Sequence, residues 1–99
     1  MMQVYLFHFE TPVAGRAQHY LGSTKNLAFR MKQHLRGEGS PLVKAALDAG
    51  ILVHLAATWE GGRDLERQFK RRHNSRKLCP ICRAEGHIHE LMRDERGAQ

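Results

Sequence analysis

The chain has 99 residues, 41% of them apolar, enough for one modest core and not for two. Sixteen Lys and Arg against ten Asp and Glu give a formal charge of +6, which favours a polyanionic partner and argues against an acidic scaffold. No apolar run approaches the roughly 20 residues of a membrane span, the N-terminus lacks the basic-then-apolar layout of a secretory signal, and the two cysteines, Cys79 and Cys82, suit a reducing compartment; a cytoplasmic protein with no membrane partner is expected.

Gln3 to Phe9 alternates Tyr5, Phe7 and Phe9 with Val4, Leu6 and His8. Both faces are mostly apolar, so this stretch predicts a strand covered on both sides. Glu10 to Gln18, with Pro12 and Gly15, reads as a polar loop returning the chain to an antiparallel partner at His19 to Gly22. The Gly22-Ser23-Thr24 step is expected to turn and to cap a helix from Leu27 to Leu35 with a hydroxyl. There Leu27, Met31 and Leu35 would form a buried stripe, with Arg30 and His34 stacked along its edge. A strand-to-helix corner holding a tyrosine, an arginine and helix N–H groups is chemically suited to a phosphate.

Ser40-Pro41 predicts the start of a second helix and Gly50 its end. Ile51 to Trp59 comes next as a third strand, with Ile51, Val53, Leu55, Ala57 and Trp59 expected on one face. After Gly61-Gly62, a helix from Arg63 to about His73 turns Leu65 and Phe69 inward and leaves Glu66 at the margin of that face. The fold class expected is α/β, a three-stranded antiparallel sheet with helices packed on its faces.

In order along the chain, Val4-Tyr5-Leu6, Tyr20-Leu21-Gly22, Arg30, His34, Glu66 and Asn74 resemble the GIY-YIG nuclease superfamily. Gln3-Val4 stands where that family usually has Gly-Ile, and Leu21 replaces an isoleucine; neither departure removes a catalytic side chain. The resemblance implies a nuclease domain over residues 1–75, with a layer fold of the family's kind, and a C-terminal extension over 76–99. It also implies a metal-dependent endonuclease that hydrolyses DNA phosphodiesters by in-line attack of water, structure-selective or weakly sequence-specific.

The roles come from the same resemblance. Glu66 would hold Mg²⁺ or Mn²⁺ through a hard carboxylate oxygen; its alternative is an ordinary helix carboxylate paired with Lys70 at i+4. Arg30 would clamp the phosphate and neutralise charge that develops in the transition state. Tyr5 is favoured as general base, with Tyr20 positioning water or phosphate, and the bland alternative for both is packing. His34 would orient the tyrosine or relay its proton. Asn74 fits the family's late asparagine, or serves as a helix C-cap.

His19, Lys25, Lys70, Arg71 and Arg72 are candidate phosphate contacts that position nucleic acid without reading sequence, against the alternative of a solvated charged face. Cys79 and Cys82, with His87 and His89 beyond them, offer a zinc ligand set of irregular spacing; the other reading of the extension is disorder, and a thioredoxin-like redox role fits its place in the chain poorly. Two further functional classes stay open beside the nuclease: a non-catalytic nucleic-acid-binding module of the same fold, and a zinc-stapled interaction adaptor. Family members often borrow specificity from an additional domain, so a protein partner that supplies it is part of the expectation.

Overall fold

The computed structural model describes residues 1–73 and 75–84. Strand β1 (Gln3–Val13) lies between β2 (Ala17–Thr24) and β3 (Val53–Glu60) in an antiparallel sheet of order β2-β1-β3. Val4 to Phe9 are all buried, as a run that is apolar on both sides requires when layers cover both faces. On one face Tyr5, Phe7, Phe9 and Val13 pack with Leu27 and Met31 of α1 (Leu27–Leu35) and with Val43 and Ala46 of α2 (Pro41–Asp48). On the other, Val4, Leu6 and Leu21 pack with Leu65 and Phe69 of α3 (Arg63–Arg72) and with Leu78 of the short α4 (Ser75–Leu78). The expected three-stranded sheet flanked by helices is present. Among the described residues no helix is long and apolar enough to cross a membrane.

The hairpin is longer than its composition suggests. The stretch expected as a loop is mostly strand, and only residues 14–16 turn. Ala14 and Gly15 have φ of 52° and 70°, the sign that both central residues of a type I′ turn need, and Val13 O accepts from Arg16 N at 3.0 Å. Glu10, Thr11 and Pro12 are exposed, so their polarity marks contact with water and not the end of a strand.

The third strand also departs from expectation. It begins at Val53, and its register against β1 shifts by one between the pairs Leu6/Ala57 and Phe7/Leu55. Ala56 is the extra residue of a β-bulge. Ala57 and Trp59 therefore lie opposite Leu6 and Val4, whereas Leu55 and Val53 lie opposite Phe7 and Phe9 on the other face. The single apolar face read from alternation is divided between two.

Because β2 runs through Thr24, the cap of α1 moves to Asn26. Its Oδ1 accepts from Phe29 N at 3.1 Å, and Thr24 Oγ1 in turn accepts from Asn26 N at 3.1 Å. The helix bounds are as expected, but its buried stripe is not. Leu35 is 74% exposed and His34 only 3%, since the face that starts at Leu27 and Met31 continues at the seventh position and not the eighth. In α2, Ser40 Oγ accepts from Leu42 N at 3.2 Å ahead of Pro41. Its end is a Schellman motif: Gly50 has φ 73°, with Gly50 N donating to Leu47 O and Ile51 N to Ala46 O. In α3, Phe69 meets Trp59 edge to face, ring centroids 4.9 Å apart.

Candidate active site

Tyr5 and Gly22 are cross-strand partners, so their side-chain positions share the face covered by α1. A Cβ at Gly22 would fall on the Tyr5 ring and hydroxyl. Glycine there makes room for the phenol, and from α1 two side chains one turn apart reach it. Arg30 Nε donates to Tyr5 Oη at 3.3 Å, and His34 Nε2 lies 2.8 Å from the same oxygen. Gln33 Oε1 accepts from Arg30 Nη1 at 3.2 Å. Tyr20 stands diagonally across the hairpin, its ring centroid 6.2 Å from that of Tyr5 and 5.6 Å from that of His34.

Tyr5 is fully buried, whereas Tyr20 and Arg30 are half-buried. Burial raises the Tyr5 pKa above its ordinary value and outweighs the opposing hydrogen bond from Arg30, so the phenol carries its proton at neutral pH. Burial, with the charge of Arg30 beside it, lowers the His34 pKa. A neutral imidazole therefore faces a protonated phenol. The other ring nitrogen, His34 Nδ1, is buried with no hydrogen-bond partner among the described residues. Gly39 closes over it: a Cβ at Gly39 would collide with that nitrogen.

Glu66 approaches from the opposite layer. Lys70 Nζ donates to its Oε2 at 2.7 Å, so the i+4 pair that the spacing allows is formed, and Ser23 is a further hydrogen-bond partner. Partial burial works to raise the Glu66 pKa, but the hydrogen bonds from Lys70 and Ser23, with the charges of Lys70 and Arg63, outweigh it and hold the carboxyl below its ordinary value. Consecutive residues of β2 thus serve the two halves of the arrangement: Gly22 lies against Tyr5 and Ser23 against Glu66. Among the described residues β2 is an outer strand of the sheet, so Gly22 and Ser23 set both halves beside one sheet edge. A groove of about 330 Å³ lies between β2 and α3, lined by His19, Tyr20, Leu21, Phe69, Lys70, His73 and Ser75; of the cluster around Tyr5 it reaches Tyr20.

The structure brings Tyr5, Tyr20, Arg30 and His34 into one cluster, with Glu66 across the β2 edge. Lys25, Arg71 and Arg72 are exposed. His19 faces away from the tyrosines, its Nε2 3.3 Å from Cys82 Sγ. Asn74, His87 and His89 lie outside the described residues. Of the zinc ligand set read from the sequence, Cys79 and Cys82 are buried, and among the described residues they meet His8 and His19. Sequence reasoning names Gly22 only as part of the Tyr20-Leu21-Gly22 motif, with no role, and misses Ser23, Gly39 and His8 as members of a site. The apolar alternation of β1 hides His8 as one more inward residue, and Ser23 and Gly39 carry no periodic signal.

The family model described as GIY-YIG catalytic domain matches residues 1–78. No curated protein and no solved structure matches the chain.

Proposed function

The chain belongs to the GIY-YIG family, a family of nucleases, and from that premise we propose that it is a divalent-metal-dependent endonuclease that hydrolyses phosphodiester bonds in DNA. The observation that carries the reading is the Tyr5 hydroxyl held between Arg30 Nε and His34 Nε2. Packing alone does not call for a buried phenol tied at once to a guanidinium and a neutral imidazole. Hydrolysis does, because it needs a base for water and a cation for charge that accumulates on phosphate.

Each side chain has its own share of the chemistry. A guanidinium only donates, so Tyr5 Oη accepts from Arg30 and its own proton is available to His34 Nε2. As Tyr5 takes a proton from the attacking water, its hydroxyl proton passes to His34, and Arg30 stabilises the negative charge on both the phenolic and the phosphate oxygens. Arg30 and Tyr20 cover Tyr5 at rest; Arg30 turning towards a phosphate uncovers its hydroxyl. Tyr20 positions the water. Glu66 suits a hard divalent cation, being a carboxylate kept ionised beside Lys70, and would hold Mg²⁺ or Mn²⁺, which would supply charge neutralisation. Lys25, Lys70, Arg71 and Arg72 contact flanking phosphates.

The test is cleavage of labelled single-stranded, duplex, flap and branched DNA by wild type, Glu66→Ala and Tyr5→Phe, with Mg²⁺, Mn²⁺ or chelator. Wild type cuts at least one substrate, chelator stops it, and each substitution lowers the rate by about 10²-fold or more with DNA binding retained. If wild type binds every DNA and cuts none with either metal, the chain is a binding module and the enzymatic reading fails.

A further inference from the structure

We propose that His8, His19, Cys79 and Cys82 form a tetrahedral zinc site on the face of the sheet opposite Tyr5. His8 and His19 are direct cross-strand partners in the first hairpin, so their side chains project to one face. Cys79 and Cys82 come from the other end of the chain, three residues apart at the start of the helical stretch 80–84, a spacing that aligns two side chains on one side of a turn. Their candidate ligand atoms all lie within 4.8 Å of one another.

Four of the six separations between the ligand atoms are close to the edges of a tetrahedron. With Zn–N near 2.0–2.1 Å and Zn–S near 2.3 Å, tetrahedral edges are about 3.4 Å between two nitrogens and about 3.6 Å between nitrogen and sulfur. The structure has 3.4 Å from His8 Nδ1 to His19 Nε2, 3.4 Å from Cys79 Sγ to His8 Nδ1, 3.5 Å from Cys82 Sγ to His8 Nδ1 and 3.3 Å from Cys82 Sγ to His19 Nε2. Hydrogen bonding accounts poorly for this convergence. His8 Nδ1 meets three polar atoms at once, yet one imidazole nitrogen offers either a single proton or a single in-plane lone pair.

Two imidazoles and two thiolates are a donor set that zinc takes with four protein ligands and no open position, the pattern of structural rather than catalytic sites. Cys79 is fully buried and His8 is 2% exposed. The metal staples the C-terminal segment over Val4, Leu6 and Leu21, closing the apolar layer on that face of the sheet. The ligand set is complete without His87 or His89. It is also separate from the Glu66 carboxylate, so the inference does not depend on the nuclease reading.

The experiment is the metal content of the full chain, purified from zinc-replete cells without chelator, and then replacement with Co²⁺. One zinc per chain is expected, with Co²⁺ giving intense tetrahedral d–d bands and thiolate-to-metal charge transfer. Removing zinc lowers the thermal midpoint by about 10 °C or more. The double variant His87→Ala/His89→Ala keeps the zinc and the cobalt spectrum, while His19→Ala and Cys82→Ser each lose the four-ligand spectrum. Should one of these last two fail to fold, the wild-type stoichiometry and spectrum together with the tail variant still decide. The proposal is overturned if the folded wild type holds no zinc and takes up none, if Cys79 and Cys82 are recovered as a disulfide, or if the tail variant loses the metal.

Discussion

At the scale of the residue, His34 carries the most consequence for its size. Its imidazole occupies a core position beside Arg30, and both burial and that charge lower its pKa. Below pH 6.5, the ordinary imidazole value, the unfolded chain takes up a proton that the folded chain resists, so stability falls as pH drops from 6.5 towards the depressed folded value and is flat above 6.5. Urea midpoints measured from pH 7.5 to 5 are expected to decline on the acid side, with a shallower decline in His34→Gln. For cleavage, the same protonation removes the acceptor for the Tyr5 proton, and the acid limb of the rate profile is expected below pH 6.5.

Among the elements, α1 has the narrowest tolerance, because two of the side chains on Tyr5 are one turn apart on it. Its first turn is tied by the Asn26 side chain. Asn26→Ala is expected to cost about 1 kcal/mol of stability, read from the urea midpoint with the slope of the transition unchanged. Element existence was largely legible in the sequence: the doubly apolar run of β1, the Ser40-Pro41 start and Gly50 end of α2, and the bounds of α1 are local signals that the packed fold leaves intact. Phase was less so. The bulge at Ala56 is imposed by pairing with β1, and the choice of His34 over Leu35 as the buried residue depends on where α1 meets the sheet; neither is written in a helix or strand period. Of the candidate site, the resemblance to the GIY-YIG family gave the tyrosines, arginine and histidine. It could not give the meeting of His8 with Cys79 and Cys82, which are 71 and 74 positions away.

For the whole molecule, the net charge of +6 and the exposed Lys25, Arg71 and Arg72 bear on affinity rather than on chemistry. If roughly four phosphates are neutralised, log affinity falls with log salt at a slope of about −3.6, roughly a 10²-fold loss between 50 and 200 mM salt. Arg71→Ala/Arg72→Ala is expected to reduce that slope by about two, weakening all sequences alike. Titration of a labelled duplex by fluorescence anisotropy at several salt concentrations measures both.

One hairpin presents its tyrosines to one layer and its histidines to the other, through neighbouring residues of the same two strands. Chain length inside those strands consequently obeys a rule of parity. One residue added or lost between Tyr5 and His8, or between His19 and Gly22, would turn the rest of that strand to the wrong side, parting the tyrosines from α1 or the histidines from Cys79 and Cys82. The turn at residues 14–16 lies beyond both clusters and imposes no such rule. Insertions and deletions in natural or engineered versions of this chain are thus admissible at the hairpin tip and selected against between Tyr5 and His8 and between His19 and Gly22.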